Sequence, residues 1–189
     1  MIKSKEENCV DAVTSTQLWV KNVIVKYNIC PFAKKELDRG SIRYSEEKST
    51  DIEGVLESLT EECKFLDKHE TIETTLLILS EACTDFEAFL DLVYLSNHLL
   101  KISGYEGVYQ LAHFHPDYCF EGDAEEAASN YSNRSPFPTL HIIRETSMEK
   151  AIAAHPDVDA IPDRNIAFLN KKGSPFFADL LASCLFSKS

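Results

Sequence analysis

Three stretches of this 189-residue chain gather side chains that can do chemistry. The first is His113-Phe114-His115-Pro116-Asp117-Tyr118. A strand repeats every two residues, so His113 and His115 there share one face. With Asp117 they form a candidate ligand set for a divalent metal, two imidazoles and a carboxylate. The histidine that follows the aspartate in H-x-H-x-D-H hydrolases is missing, and the chain is too short for the large barrels that use H-x-H. The structural alternative is one histidine satisfied in the core and the other closing a loop.

The second stretch runs from Asn130 to Glu145. Pro136 and Pro138 stiffen the chain on either side of Phe137, just ahead of an apolar run. Asn133, Arg134 and Arg144 are the candidate substrate-binding residues, because a planar guanidinium suits a carboxylate or phosphate. The partner they imply is a small anionic molecule. His141 lies in the middle of the apolar run and approaches His113 or His115 if the two strands are neighbours. The alternative is that Arg144 pairs with an acid such as Glu145.

The third stretch is Asn28-Ile29-Cys30-Pro31-Phe32-Ala33-Lys34-Lys35. A cysteine at a helix N-terminus, with Lys34 in the first turn, is biased toward thiolate. Glutaredoxin-like and omega-class glutathione transferase sites also open a helix with C-P-F, and Phe137-Pro138-Thr139-Leu140 mimics their cis-proline strand entry. The spacing between the two is much longer than that fold uses, and a helix precedes Cys30, so the thioredoxin fold is rejected. The alternative is a structural cysteine capping a buried helix. Cys30, His115, Asp117 and His141 are thus the candidate catalytic residues.

The elements that must hold these residues are well marked. Ser or Thr followed three residues later by Glu or Gln opens a helix at Thr14…Gln17, Thr50…Glu53, Thr84…Glu87 and Thr146…Glu149. Cys30-Pro31 and Ser174-Pro175 mark two further starts. Ile52, Val55, Leu56, Leu59, Cys63 and Leu66 form a single apolar stripe on the second helix. The third, near 85–103, is apolar on more than one face and is expected to be largely buried. Residues 23–27 read as helix or strand, with helix favoured. The run at 74–80 is the central strand, apolar throughout. The reading is α/β: a single domain over 1–189, with a loose tail at 1–12. Its four-stranded mixed sheet, covered by helices, has strands near 41–45, 74–80, 107–114 and 138–144. The loop 116–137 is too long for a hairpin turn, which marks it as functional or disordered.

Charge excludes some partners. Nineteen basic against 31 acidic side chains leave a net charge of −12. A nucleic-acid binder needs a basic face, so none is expected. The surplus is local: residues 46–73 hold ten acids and three bases, and 117–126 hold five acids and no base. No stretch is long and apolar enough for a membrane span, and the N-terminus lacks a signal core, so a cytoplasmic protein is expected. The six cysteines form no C-x-x-C pair, and Cys63 and Cys184 sit in apolar helical patterns as core residues.

Taken together, N-I-C-P-F-A-K at 28–34, V-Y-Q-L-A-H-F-H-P-D-Y-C-F-E-G at 108–122, N-Y-S-N-R-S-P-F-P-T-L-H-I-I-R-E at 130–145 and I-P-D-R-N at 161–165 resemble a bacterial family known only as a domain of unknown function. The resemblance covers residues 16–165. It implies a single-domain bacterial protein with no assigned activity, and carries no catalytic residues over. Ile29 and Phe137 stand where that family usually has leucine and tyrosine. His113 stands where serine is common, which moves weight from a metal pair to His115, Asp117, Arg134 and His141. Two classes of function follow. One is a small-molecule enzyme using His/Asp acid–base chemistry, with metal-assisted and Cys30-nucleophile variants. The other is a non-catalytic ligand-binding or protein-interaction module. Nothing in the sequence sets an oligomeric state.

Overall fold

Residues 8–187 are described by the computed structural model. They open with the two-residue strand β1 (Asn8–Cys9), paired antiparallel with the closing strand β6 (Phe186–Ser187). Of the tail expected at 1–12, residues 1–7 lie outside the described residues. Helix α1 (Ala12–Trp19) runs straight into a π-helical stretch, Val20–Val25, so the ambiguous segment is helical. There Lys26 N–H reaches Lys21 C=O at 3.2 Å and, just beyond, Ile29 N–H reaches Ile24 C=O at 2.9 Å, both five residues back. Then come α2 (Ala33–Arg39), β2 (Ile42–Glu47), α3 (Ile52–Lys68), β3 (Thr74–Leu79), α4 (Phe86–Ile102) and β4 (Tyr109–Phe114). After the long loop and a 3-10 turn at Ala128–Ser132 follow β5 (Thr139–Arg144), α5 (Glu145–Ala154), α6 (Ile161–Lys172) and α7 (Ser174–Leu185).

The expected capping threonines are not the caps. Asp11, Asp51 and Asp85 accept the N–H of Thr14, Gly54 and Ala88, each at 2.9 Å. A carboxylate answers both an orphan donor and the positive end of the helix. Thr146 opens nothing, because α5 follows β5 without a break and has no side-chain cap.

The main sheet has the order β2-β3-β5-β4. β2 and β3 pair in parallel, while β5 runs antiparallel to both β3 and β4. The mixed α/β sheet is therefore present, with 74–79 internal and the 42–47 strand at an edge. All six residues of β3 are buried, as a strand covered on both faces requires. On one face α3 and α4 pack over Leu77, Leu79, Leu140 and Ile142. On the other, Trp19, Val20, Val23 and Ile24 pack with α6, α7 and Leu76, and Cys184 is fully buried there. Cys63 is equally buried under α3. Helix α4 departs from expectation. It buries Phe89, Leu92, Ser96 and Leu100 but leaves Leu90, Tyr94, Leu95 and Ile102 exposed, because one sheet face can cover only one face of a helix.

Candidate functional site

On the α1 side the sheet is not fully covered. A cavity of about 230 Å³ lies over the strands. Its floor comes from Ile42, Thr74, Leu76, Ala112, Phe114, His141 and Ile143. Trp19, Val20 and Ile24 form one wall, and Cys30, Phe32, Ala33 and Glu36 another. Ser147, Met148 and Ala151, spaced along one face of α5, close a third. A second cavity of about 550 Å³ lies against the long loop and α6, lined among others by Asp123, Ser129, Ser132, Asn133 and Asn165. Ile24, Cys30 and Phe114 belong to both.

The cavity floor carries one imidazole, and its tautomer follows from its neighbour. Thr74 Oγ1 donates to the Ile142 carbonyl at 2.6 Å, and a carbonyl can only accept. The 2.6 Å contact between Thr74 Oγ1 and His141 Nε2 must then be an N–H donated by the histidine. His141 is therefore the neutral Nε2–H form, with a lone pair on Nδ1. Burial pushes its pKa from the ordinary 6.5 down to about 4. Two further polar atoms are buried without a partner: Trp19 Nε1, on a side chain only 1% exposed, and Glu73 Oε2, whose residue also lines the cavity.

The turn that presents Cys30 is held from α6. Asn28 takes the left-handed conformation (φ 54°), and its carbonyl accepts from Arg164 Nη2 at 2.5 Å. Asn165 Nδ2 donates to the Ile29 carbonyl at 2.8 Å. Thus the 161–165 motif anchors the 28–34 motif. Helix α2 begins at Ala33, and Lys34 pairs with Asp38 rather than with the thiol. Burial pushes the Cys30 thiol up, against a smaller pull from the Phe32 and Ala33 amides and from Arg164. The expected thiolate bias is thus reversed by desolvation.

Cys30 and His141 are brought together on one cavity, and Asn133 lines its neighbour. The other candidate residues lie elsewhere. The register Ala112↔His141 and His113↔Leu140 puts His113 on the opposite face of the sheet from His141. There His113 faces Phe89 and Tyr118, with ring centroids 6.1 and 5.7 Å away, and burial lowers its pKa. His115 is fully buried between Phe86 and Phe89. Its Nδ1 accepts from Asp117 N–H at 3.0 Å, which leaves Nε2–H to donate to the Cys83 carbonyl at 3.0 Å. Both nitrogens are spent on backbone, and burial lowers its pKa as well. Asp117 itself is exposed. The metal set His113, His115 and Asp117 does not assemble. Among the described residues, no group of three or more His, Cys, Asp or Glu is placed to hold a metal ion.

The two arginines are clamps. Arg134 donates to the carbonyls of Tyr118 (3.0 Å) and Glu125 (2.8 Å) and lies over the Tyr131 ring. It ties down the acid-rich loop through its backbone rather than its carboxylates. Asn130, fully buried, does the same from inside: Nδ2 donates to Ala124 C=O and Oδ1 accepts Phe120 N–H. Arg144 donates to the carbonyls of Leu66, His69 and Ile72, closing the C-terminal end of α3.

The sequence reading passed over Trp19, Glu36, Glu73 and Thr74, which line the cavity. Glu73 had one available signal, an acid immediately ahead of the central apolar run. The sequence model of the family described as "Protein of unknown function (DUF1415)" matches residues 11–179. Comparison with curated proteins and with solved structures gave no match.

Proposed function

For a chain that belongs to this family of unknown function, we propose small-molecule binding in the 230 Å³ cavity. The ligand has an apolar body and a hydrogen-bonding head. The observation that carries this reading is a mainly apolar chamber with uncommitted polar atoms in its lining: Trp19 Nε1, Glu73 Oε2 and the Nδ1 lone pair of His141. Ligand sites combine apolar walls with a few such polar groups. A buried polar atom left unpaired costs about 1–3 kcal/mol, which a complementary ligand recovers.

Among the expected classes, binding is better supported than acid–base or thiol catalysis. Burial holds the proton on Cys30 and off His141, so neither is set up as thiolate or imidazolium. No lysine or arginine lines either cavity, so the lining offers an anionic substrate no cation.

Trp19 is the only tryptophan of the chain, and it lines the cavity. Its fluorescence therefore reports occupancy. Ethylbenzene should change Trp19 emission saturably in the wild type. Ala112→Leu, which fills the floor, should abolish that response while the protein still melts cooperatively. An equal response in both proteins would refute the assignment of the cavity as the site.

A further inference from the structure

Resting on that binding reading, we propose that the head of the ligand is a protonated primary or secondary amine, held by Glu73 against the aromatic walls of the cavity. The chemistry of the lining carries this inference. The rings of Trp19, Phe32 and Phe114 line the chamber, with Trp19 and Phe114 edge to face at 5.0 Å. Aromatic faces attract cations through their quadrupole.

The carboxylates differ in their commitments. Glu36 already accepts from Ser41 Oγ at 2.6 Å, and stands 3.6 Å from Lys35 and 4.0 Å from Arg39. Glu73 has no cation within ion-pair distance among the described residues, and its Oε2 is buried without a donor. A ligand that brings a positive charge and an N–H answers both deficits. An anion would meet Glu73 and Glu36 with nothing to offset them. A quaternary ammonium would satisfy the rings but leave Oε2 without a hydrogen. His141 Nδ1 offers an acceptor for a second N–H, since its Nε2–H is committed to Thr74. Trp19, 1% exposed and with an unpartnered Nε1, shows independently that the same wall holds unmet polar capacity.

The test compares four probes that share one phenylethyl body: 2-phenylethylamine, its N,N,N-trimethyl derivative, 2-phenylethanol and 3-phenylpropanoate. Affinities are read by Trp19 fluorescence and by calorimetry at neutral pH. The amine should bind about ten- to hundredfold more tightly than the alcohol, the range of one charge-assisted hydrogen bond. The trimethyl derivative should fall between them, and the carboxylate should bind most weakly. Glu73→Gln should bring the amine down to the affinity of the alcohol and leave the alcohol unchanged, which also shows that the variant is folded. If the alcohol binds and the amine gains nothing over it, or keeps its gain in Glu73→Gln, the amine head is refuted while the cavity reading survives. If none of the four binds, the cavity reading fails and takes this inference with it.

Discussion

Replacing His141 by glutamine isolates the one titration that belongs to the cavity. The amide Nδ-equivalent position is lost, but glutamine Nε2–H can still donate to Thr74 Oγ1, so the floor of the chamber is retained. The folded-state pKa of His141 is about 4, below the ordinary 6.5. The neutral form is therefore favoured by folding. Its stabilisation is complete above about pH 6.5 and is lost as pH falls toward about 4, because the unfolded chain takes up the proton first. Between about pH 7.5 and pH 4.5 the wild type should lose roughly 2–3 kcal/mol more than His141→Gln. The burial-lowered histidines His113 and His115 are present in both proteins and cancel in the difference. Urea unfolding followed by Trp19 emission, at several pH values on both proteins, measures it. A gap that stays constant with pH would show that His141 titrates in the folded protein as it does in water, and the argument for a dry, neutral floor would fall.

Three other expectations follow from the same geometry. Arg134→Lys keeps the charge but cannot span the carbonyls of Tyr118 and Glu125, so stability should fall by about 1–3 kcal/mol while ethylbenzene binding is unchanged; an unchanged melting temperature would contradict the clamp. His115→Ala removes two hydrogen bonds and a fully buried ring, and should cost about 3–5 kcal/mol in chemical denaturation; a loss under about 1 kcal/mol would deny its structural role. Cys30, with its thiol raised above the ordinary 9.0, should react with iodoacetamide more slowly at neutral pH than free cysteine, by peptide-resolved mass spectrometry; a faster reaction would restore the nucleophile reading.

The elements were legible for simple reasons. The run Thr74–Leu79 is apolar because both faces of its strand are covered, and no helix of that length needs such a pattern. The α3 stripe was equally plain, since Val55, Leu59, Cys63 and Leu66 are all fully buried. What sequence could not carry was the relation between strands. Whether His113 or Ala112 stands opposite His141 depends on a one-residue register, and that register decides which face each histidine occupies. Helix α4 misled because its apolar content exceeds what the fold covers. Glu73 was hidden among the ten acids of 46–73, where a single carboxylate facing a cavity looks like nine others facing solvent. Arg134 and Arg144 carried a real signal of function-like chemistry, but backbone carbonyls compete for a guanidinium as well as any ligand does.

The π-helical stretch Val20–Val25 makes chain length, rather than side-chain identity, the fragile variable at this wall. An α-helix advances about 100° per residue, so removing one residue from this stretch and rewinding it as α would turn everything before it by that angle relative to everything after. Trp19 lies immediately before the stretch and Ile24 within it, and both face the cavity. A one-residue deletion would thus rotate the indole away from the chamber while leaving the composition of the wall almost intact. Apolar exchanges at Val20, Val23 or Ile24 should be absorbed there, whereas insertions and deletions should not.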